Sequence, residues 1–447
     1  MRYLAQAALI EGQIEQSVLI EIGIDGVIIS VTPQSGDAGE HLAGLAVPGM
    51  PNLHTHSFQR AMAGLVERAG PDGNDFWRWR EVMYRFLAVL TPEDVQAIAA
   101  QLYVECLLNG YTSVAEFHYL HNAPDGSPYA DPAELAHRII SAALDAGIGL
   151  TMLPVLYCRS QFGGTAPTEA QRRFVLSIDA YADLCSTVAR SVAIGIAPHS
   201  LRAVTAEELD AAVALAGSRP IHIHIAEQQN EVASCLAWSG ARPVTWLLDH
   251  TPVDRRWCLV HATHMDWRER QRLAMSGAVA GLCQTTEANL GDGIFPLGRF
   301  LAESGRFGIG SDANVSTSPI EELRWLEYVR RLTARSRNVT EKRSGASIAL
   351  NLYRRALAGG AQALARNAGV IAPGQRADIV ILDTDHPALV GRNGEALLDA
   401  WVFSGNSTPV RDVMVGGAWL VRNGRHRSQD AIAAAFSRAM RRLSAVL

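Results

Sequence analysis

His54 and His56 stand two residues apart in PNLHTH (51–56), directly after an apolar run, and HIHIAE (222–227) repeats the spacing with His222 and His224. Side chains on a strand alternate with period two, so each pair presents both imidazoles on one face, as consecutive ligands to one metal ion do. A third polar cluster, GSDAN (310–314), again closes an apolar run. Neutral imidazole nitrogen suits zinc, and a catalytic zinc takes three or four protein ligands with one position left for water. A single pair of this kind is as often packing as chemistry. Three separated clusters of one design point instead to a metal site assembled from distant parts of the chain.

Residues so far apart must be carried by elements that return to one place. Eight apolar, β-prone runs lie between about 48 and 371: LAVPGMPNLHTH, TSVAEFHYL, IGLTMLPVLY, VAIGIAPHS, PIHIHIAE, WCLVHATH, GAVAGLCQTT and FGIGSDAN. Helical patterns such as DVQAIAAQLYVECLLNG and DPAELAHRIISAALDAG separate several of them, the second stopping at Gly147. This alternation predicts an α/β fold, a TIM-type (β/α)8 barrel over 48–371 with its active site at the strand C-terminal ends. In most runs the polar residues come last: His54 and His56, His118, His199, His224 with Glu227, His261, and Asp312. The chain ends read differently. VLIEIGIDGVIISV turns at Asp25-Gly26, and ADIVILD (377–383) and VRDVMVGGAWLVRNGRH (410–426) alternate around Gly416-Gly417 and Asn423-Gly424. Residues 1–47 and 372–427 are therefore expected to form one small β domain, followed by a helix over 428–447 with Ser428 as its N-cap.

With 447 residues, 48% hydrophobic and 19% charged, and a net charge of −5, the composition is that of a globular chain with no attraction to nucleic acid. No run of about 18 apolar residues predicts a membrane span, and the first residues lack a basic signal-like region, so a cytoplasmic location is expected. The six cysteines are widely spaced, as reduced thiols would be, and Lys342 is the sole lysine.

PGMPNLHTH, HIHIAE, LVHATH, GSDAN and PGQRADIVILD followed by VMVGG together resemble the amidohydrolase superfamily over nearly the entire chain. The resemblance implies a metal hydrolase barrel with a small β-sandwich built from both termini. It implies that His54, His56, His224 and Asp312 bind the metal and that His261 assists the hydrolytic water. Many members bridge two metals through a carboxylated lysine on a middle strand; Lys342 follows the last strand, so one divalent ion is implied, zinc foremost, with iron and manganese open. In the mononuclear deaminase branch, a glutamate at the position of Glu227 moves protons. Such an ion lowers the pKa of water towards ~7. Asp312 can then take a proton, and Glu227 can give one to the departing nitrogen, help worth about 10²- to 10⁴-fold. The plainer readings are a surface carboxylate for Glu227 and a helix N-cap for Asp312. His222, one pleat deeper than His224, reads as an interior hydrogen-bonding residue, and His118 and His264 stay outside the site.

Within that branch, HTHSFQRAMAG (54–64), DFWRWREVMY (75–84), EFHYLHN (116–122), APHSLRAV (197–204) and CQTTEANLGDGIFP (283–296) are similar to deaminases that act on N-formimidoyl-L-glutamate in histidine degradation. That likeness implies substrate contacts from Gln59, Arg80, Tyr119, His199 and Arg202. Arginine's planar fork matches the two carboxylates of such a small anionic substrate. Arg80, with Arg78 and Arg85 as neighbours, could equally be a surface residue, a reading weaker for Arg202 at a strand exit, and Phe76, Trp77 and Trp79 could form a cover or a packing anchor. CQTTEANL departs from the many relatives with proline after the cysteine, and Cys283 and Gln284 receive no role. Two further readings stand beside this one: a mononuclear deaminase of guanine- or adenosine-type purines, whose pocket would want stacking rather than arginines, and a barrel without activity. Family likeness and the terminal helix suggest a homodimer.

Overall fold

The computed structural model describes residues 1–36, 38–65, 67, 82–341 and 343–445. Both chain ends enter a single eight-stranded sheet. Its strands are β1 (Arg2–Ile10), β2 (Gln13–Ile22), β3 (Ile28–Thr32) and β4 (Glu40–Pro48), with β14 (Ile379–Leu382), β15 (Val410–Val415), β16 (Ala418–Arg422) and β17 (Arg425–His426). The order is β17-β16-β15-β14-β4-β1-β2-β3, and β1 and β4 run parallel while the other neighbours are antiparallel. Turns fall at the predicted dipeptides. Gly416 and Gly417 both have positive φ, as do Asn423 and Gly424, the conformation of tight two-residue hairpins. Period-two alternation assigns the faces: Leu45, Val47, Val380 and Leu382 join the large core of the chain, while Ala46, Ile379 and Ile381 join a second core with Ala5, Ile20 and Met414.

The remaining strands are β5 (Met50–Thr55), β6 (Tyr111–His118), β7 (Gly149–Leu156), β8 (Ala193–Ile194), β9 (Ala197–Pro198), β10 (Ile221–Ile225), β11 (Trp257–His261), β12 (Val279–Leu282) and β13 (Arg306–Ile309). Each predicted run carries one, the fourth as two short pieces. All pair in parallel, in a sheet β5-β6-β7-β8 with β9 beside β7, and a sheet β10-β11-β12-β13. Parallel bridges Ile196–Ile221 and Ser200–His224 join these sheets on one side, and Thr55–Asp312 joins them on the other.

Helices between the strands begin and end where their chemistry dictates. Pro92–Asn109 starts with Pro92 and a reciprocal Thr91–Asp94 capping box, and stops at Gly110 in the left-handed conformation. Glu134–Ala146 stops at Gly147, as predicted. Gln429–Ser444 follows Ser428, whose side chain caps nothing, and buries Ile432, Ala439 and Leu443; Arg442 pairs with Asp94 of helix Pro92–Asn109. Ile348–Ala363 lies close against β13 because Gly359 has no side chain: a Cβ there would sit 1.9 Å from the Phe307 carbonyl oxygen. One element departs from expectation. The segment after 372, read as β-rich, also contains helix Ala396–Phe403, whose Leu397, Leu398, Trp401 and Val402 are buried beside helices Ile348–Ala363 and Pro319–Ala334. Among the described residues no helix is long and apolar enough to cross a membrane.

Candidate metal centre and active site

His54 lies at the end of β5 and His56 just beyond it, and His224 sits near the end of β10. Asp312 lies just beyond β13 with φ +46 and is pinned to β5 by two backbone hydrogen bonds: its N–H donates to the His54 carbonyl (3.0 Å), and its carbonyl accepts from the His56 N–H (3.1 Å). Asn314 stitches the same junction. Its amide donates to the carbonyls of His56 (3.0 Å) and Asp312 (2.8 Å), and its Oδ1 accepts from Thr55 (2.9 Å) and Ser311 (2.6 Å). Asn52 donates to Ser311 Oγ at 2.7 Å beneath it. Asn52, Ser311 and Asn314 thus hold two distant segments together, a role the sequence reading did not assign although all three lie in the motifs it quoted.

The four side chains converge. His54 Nε2 is 3.1 Å from His56 Nε2 and 3.0 Å from His224 Nε2, and Asp312 Oδ1 is 3.4 Å from His54 Nε2 and 3.3 Å from His56 Nε2. Donors bound at ~2.1 Å to one tetrahedral ion would lie ~3.4 Å apart. The tautomers agree with this. His56 Nδ1 faces the Phe117 carbonyl (3.0 Å) and His224 Nδ1 faces the His199 carbonyl (3.1 Å); a carbonyl only accepts, so both Nδ1 atoms carry the proton and both Nε2 lone pairs point inward. Lone pairs facing a carboxylate repel unless a cation lies between them. Burial pushes His54 down to about 3 and His224 well below the usual range, so both stay neutral. Three neutral imidazoles and one carboxylate fit a borderline divalent ion. A second grouping, His261, Cys283 and Asp312, shares the aspartate, and burial raises the Cys283 thiol far above its usual range.

Glu227 and His261 flank this cluster. His261 Nε2 lies 3.7 Å from Glu227 Oε1 and 3.7 Å from Asp312 Oδ2. Burial alone would lower His261; Glu227, then Glu287 and Asp312, outweigh it and raise the imidazole well above its usual value. Left-handed backbone recurs at these exits, at Ala226, His261, Ala262 and Asp312, conformations that non-glycine residues adopt mainly where the surroundings enforce them. Asp312 is no helix cap: helix Pro319–Ala334 is capped by Ser318.

The same pocket, about 130 Å³, is walled by Gln59, Tyr119, His199 and Arg202. Gln59 donates to Tyr119 OH at 2.8 Å. Half-buried Arg202 has no hydrogen-bond partner for Nε among the described residues, and the nearby Glu231 and Glu227 carboxylates outweigh burial to favour its charge. Arg80, with Phe76, Trp77 and Trp79, lies outside the described residues, as does Lys342. His222 is interior, donating from Nε2 to the Ala363 carbonyl at 2.8 Å; His264 and His118 stand apart from the cluster. Three acids here escaped the sequence reading. Glu231 accepts the N–H groups of Ala226 and Glu227, Glu287 faces His261, and burial together with Glu227 pushes Asp292 up to about 8. Only their place in the fold marks them; along the chain they are ordinary helix and loop carboxylates.

Known proteins resemble the chain over most of its length. Over 440 residues the chain is 53% identical to formimidoylglutamate deiminase of Pseudomonas aeruginosa, covering 97% of each protein. It is 28% identical over 409 residues to 8-oxoguanine deaminase of the same species, covering 87% of this chain and 84% of that one. Among solved structures, an amidohydrolase from Brucella melitensis superposes with a TM-score of 0.94 at 46% identity, covering 99% of both chains. The model of the amidohydrolase family matches residues 45–420, and the chain belongs to that family.

Proposed function

We infer that this chain is a metal-dependent hydrolase that deiminates N-formimidoyl-L-glutamate, adding water and releasing ammonia to leave N-formyl-L-glutamate, a step of histidine degradation. One observation carries the reading: Arg202, half-buried and with Nε unpartnered among the described residues, lines the small pocket that also contains Glu227 and Asp312. A cation there wants an anionic ligand, and ~130 Å³ suits a compact one better than the ~300–1,000 Å³ of typical ligand pockets would. The 53% identity to a formimidoylglutamate deiminase, against 28% to a purine deaminase, supports the same choice.

The parallel bridges that join the two sheets on both sides support a closed (β/α)8 barrel over 48–371. The second core of the terminal sheet supports a β-sandwich formed by 1–47 and 372–427. His54, His56, His224 and Asp312 would hold one divalent ion, most fittingly zinc, which when bound would make water acidic enough to attack at neutral pH. His261 assists the attacking water and Asp312 takes its proton. Glu227, 3.7 Å from His261, returns a proton to the amidine nitrogen so that it leaves as ammonia rather than as an amide anion. Gln59, Tyr119 and His199 position the substrate, and Arg202, with Arg80, binds its carboxylates. The same reading carries a homodimer in the cytoplasm, the assembly to be checked by light scattering.

The deciding experiment measures ammonia released from N-formimidoyl-L-glutamate, guanine and adenosine, with metal content determined on the same sample. The expected result is turnover of the formimidoyl compound by a protein holding one zinc per chain. Turnover of a purine with none of the formimidoyl compound overturns the reading.

A further inference from the structure

His261 ends β11 with φ +67, a backbone conformation costly for a non-glycine residue, and the following Ala262 is left-handed as well. Strain of this kind fixes where the Cα points but leaves the ring free to rotate about its side-chain bonds. The ring is held from its other side. Its Nδ1 lies 3.3 Å from Oε1 of Glu287, in the short helix Gln284–Leu290 of the CQTTEANL segment, to which the proposed reaction gives no task. Glu287 is 1% exposed, its Oε1 also accepts the Cys283 N–H at 3.1 Å, and its Oε2 is buried with no partner among the described residues. Closing the first turn of a helix does not require this. A neutral glutamine could accept the Cys283 N–H without burying an ionisable group whose second oxygen is unsatisfied. What glutamate adds is an acceptor-only partner that can take an N–H from imidazole and from backbone on one oxygen.

We propose that Glu287 is a positioning residue for the reaction: it accepts the Nδ1–H of His261, fixing the ring plane so that Nε2 faces Glu227 and Asp312. The inference rests on His261 assisting the water, as read above. Without Glu287, the ring can rotate about its side-chain bonds, and a misdirected Nε2–H reaches the attacking oxygen less often. Carboxylates that orient a catalytic or ligating imidazole commonly affect activity by ~10- to 100-fold.

The test uses the holoenzyme with histidine labelled in ¹⁵N, comparing the wild type with Glu287→Leu, Glu287→Gln and, as reference, His261→Asn. Expected are a kcat reduced ~10- to 100-fold in Glu287→Leu with KM within about threefold and metal content unchanged, and partial recovery in Glu287→Gln, whose Oε1 can still accept. The ¹⁵N spectrum should show the His261 Nδ1 protonated and hydrogen-bonded in the wild type, with that signal shifted in Glu287→Leu. Wild-type kcat in Glu287→Leu alongside an inactive His261→Asn overturns the proposal, and so does an unchanged Nδ1 proton. Should Glu287→Leu not fold, a wild-type spectrum with His261 protonated on Nε2 alone overturns it equally. Full activity in His261→Asn would instead sink the role of His261, while the Nδ1 signal still tests the contact to Glu287.

Discussion

Glu227 stands 3.7 Å from His261 Nε2, near the ligand cluster but not among the atoms that meet in it. That separation of acid from ligands makes a sharp expectation. Glu227→Gln keeps the shape of the side chain and removes its proton, so metal content should remain that of the wild type while kcat falls by ~10²- to 10⁴-fold. Elemental analysis and steady-state rates on one preparation check it; a variant that loses the metal would make Glu227 a ligand instead. The residues legible in the sequence were those whose spacing alone sets their direction. His54 and His56 share a face because strands alternate, and His222 shares one with His224 by the same rule but lies one pleat deeper, where its Nε2 meets the Ala363 carbonyl. Glu287 and Asp292 were illegible because each acts across a contact between segments: Glu287 reaches His261 from 26 residues along the chain. Arg80 and the neighbouring tryptophans, by contrast, were singled out in the sequence and fall outside the described residues.

The strands of the site were recoverable because buried parallel strands read as continuous apolar runs, and here each run closes on polar residues. Helix Ala396–Phe403 was missed for a matching reason. Its run ALLDAWVF is apolar on nearly every position, with Leu397, Leu398, Ala400, Trp401 and Val402 buried, so no 3.6-residue period distinguished it from a strand. Nor could sequence show how close helix Ile348–Ala363 comes to β13. Gly359 sets that distance, and two opposed effects decide what alanine would do there. Alanine gains up to about 1 kcal/mol of helix propensity over glycine. Its Cβ would lie 1.9 Å from the Phe307 carbonyl oxygen, a backbone atom that no rotamer change can move aside. Overpacking typically costs about 1–3 kcal/mol and more when the backbone must shift. The clash should win, and Gly359→Ala should lower the urea midpoint by the equivalent of roughly 2 kcal/mol net. A midpoint unchanged or raised would mean that the helix can ride outward at no cost.

At the scale of the whole molecule, both chain ends build one sheet and the segments between them supply the site, so stability anywhere bears on function everywhere. The turns at Gly416-Gly417 and Asn423-Gly424 announced the hairpins of that sheet in the sequence. The second core it encloses needed the structure, because residues such as Ile20 and Met414 meet only after the two ends pair. Acid is a general threat to such a fold when histidines are buried neutral. His121 is one, away from the metal cluster, with its Nε2–H donated to the Val155 carbonyl at 2.9 Å. Burial, only partly offset by that carbonyl, pushes it down to about 4 from a usual 6.5. The sign follows from which state binds the proton. Between pH 6.5 and 4 the unfolded chain takes up a proton at His121 that the folded chain refuses, so stability contributed above pH 6.5 is lost as the pH falls through this window. The shift corresponds to about 3 kcal/mol once pH 4 is passed. Glu116 works in the opposite direction, raised to about 7 chiefly by burial, so the wild-type profile alone would hide the effect. His121→Gln isolates it, because glutamine can still donate to Val155 but cannot take a proton. With chelator present in both samples, so that protons competing for the metal do not contribute, the stability of the variant relative to the wild type should rise by about 3 kcal/mol between pH 7 and pH 4. Parallel denaturation profiles across that range would show that His121 meets the same proton affinity folded and unfolded.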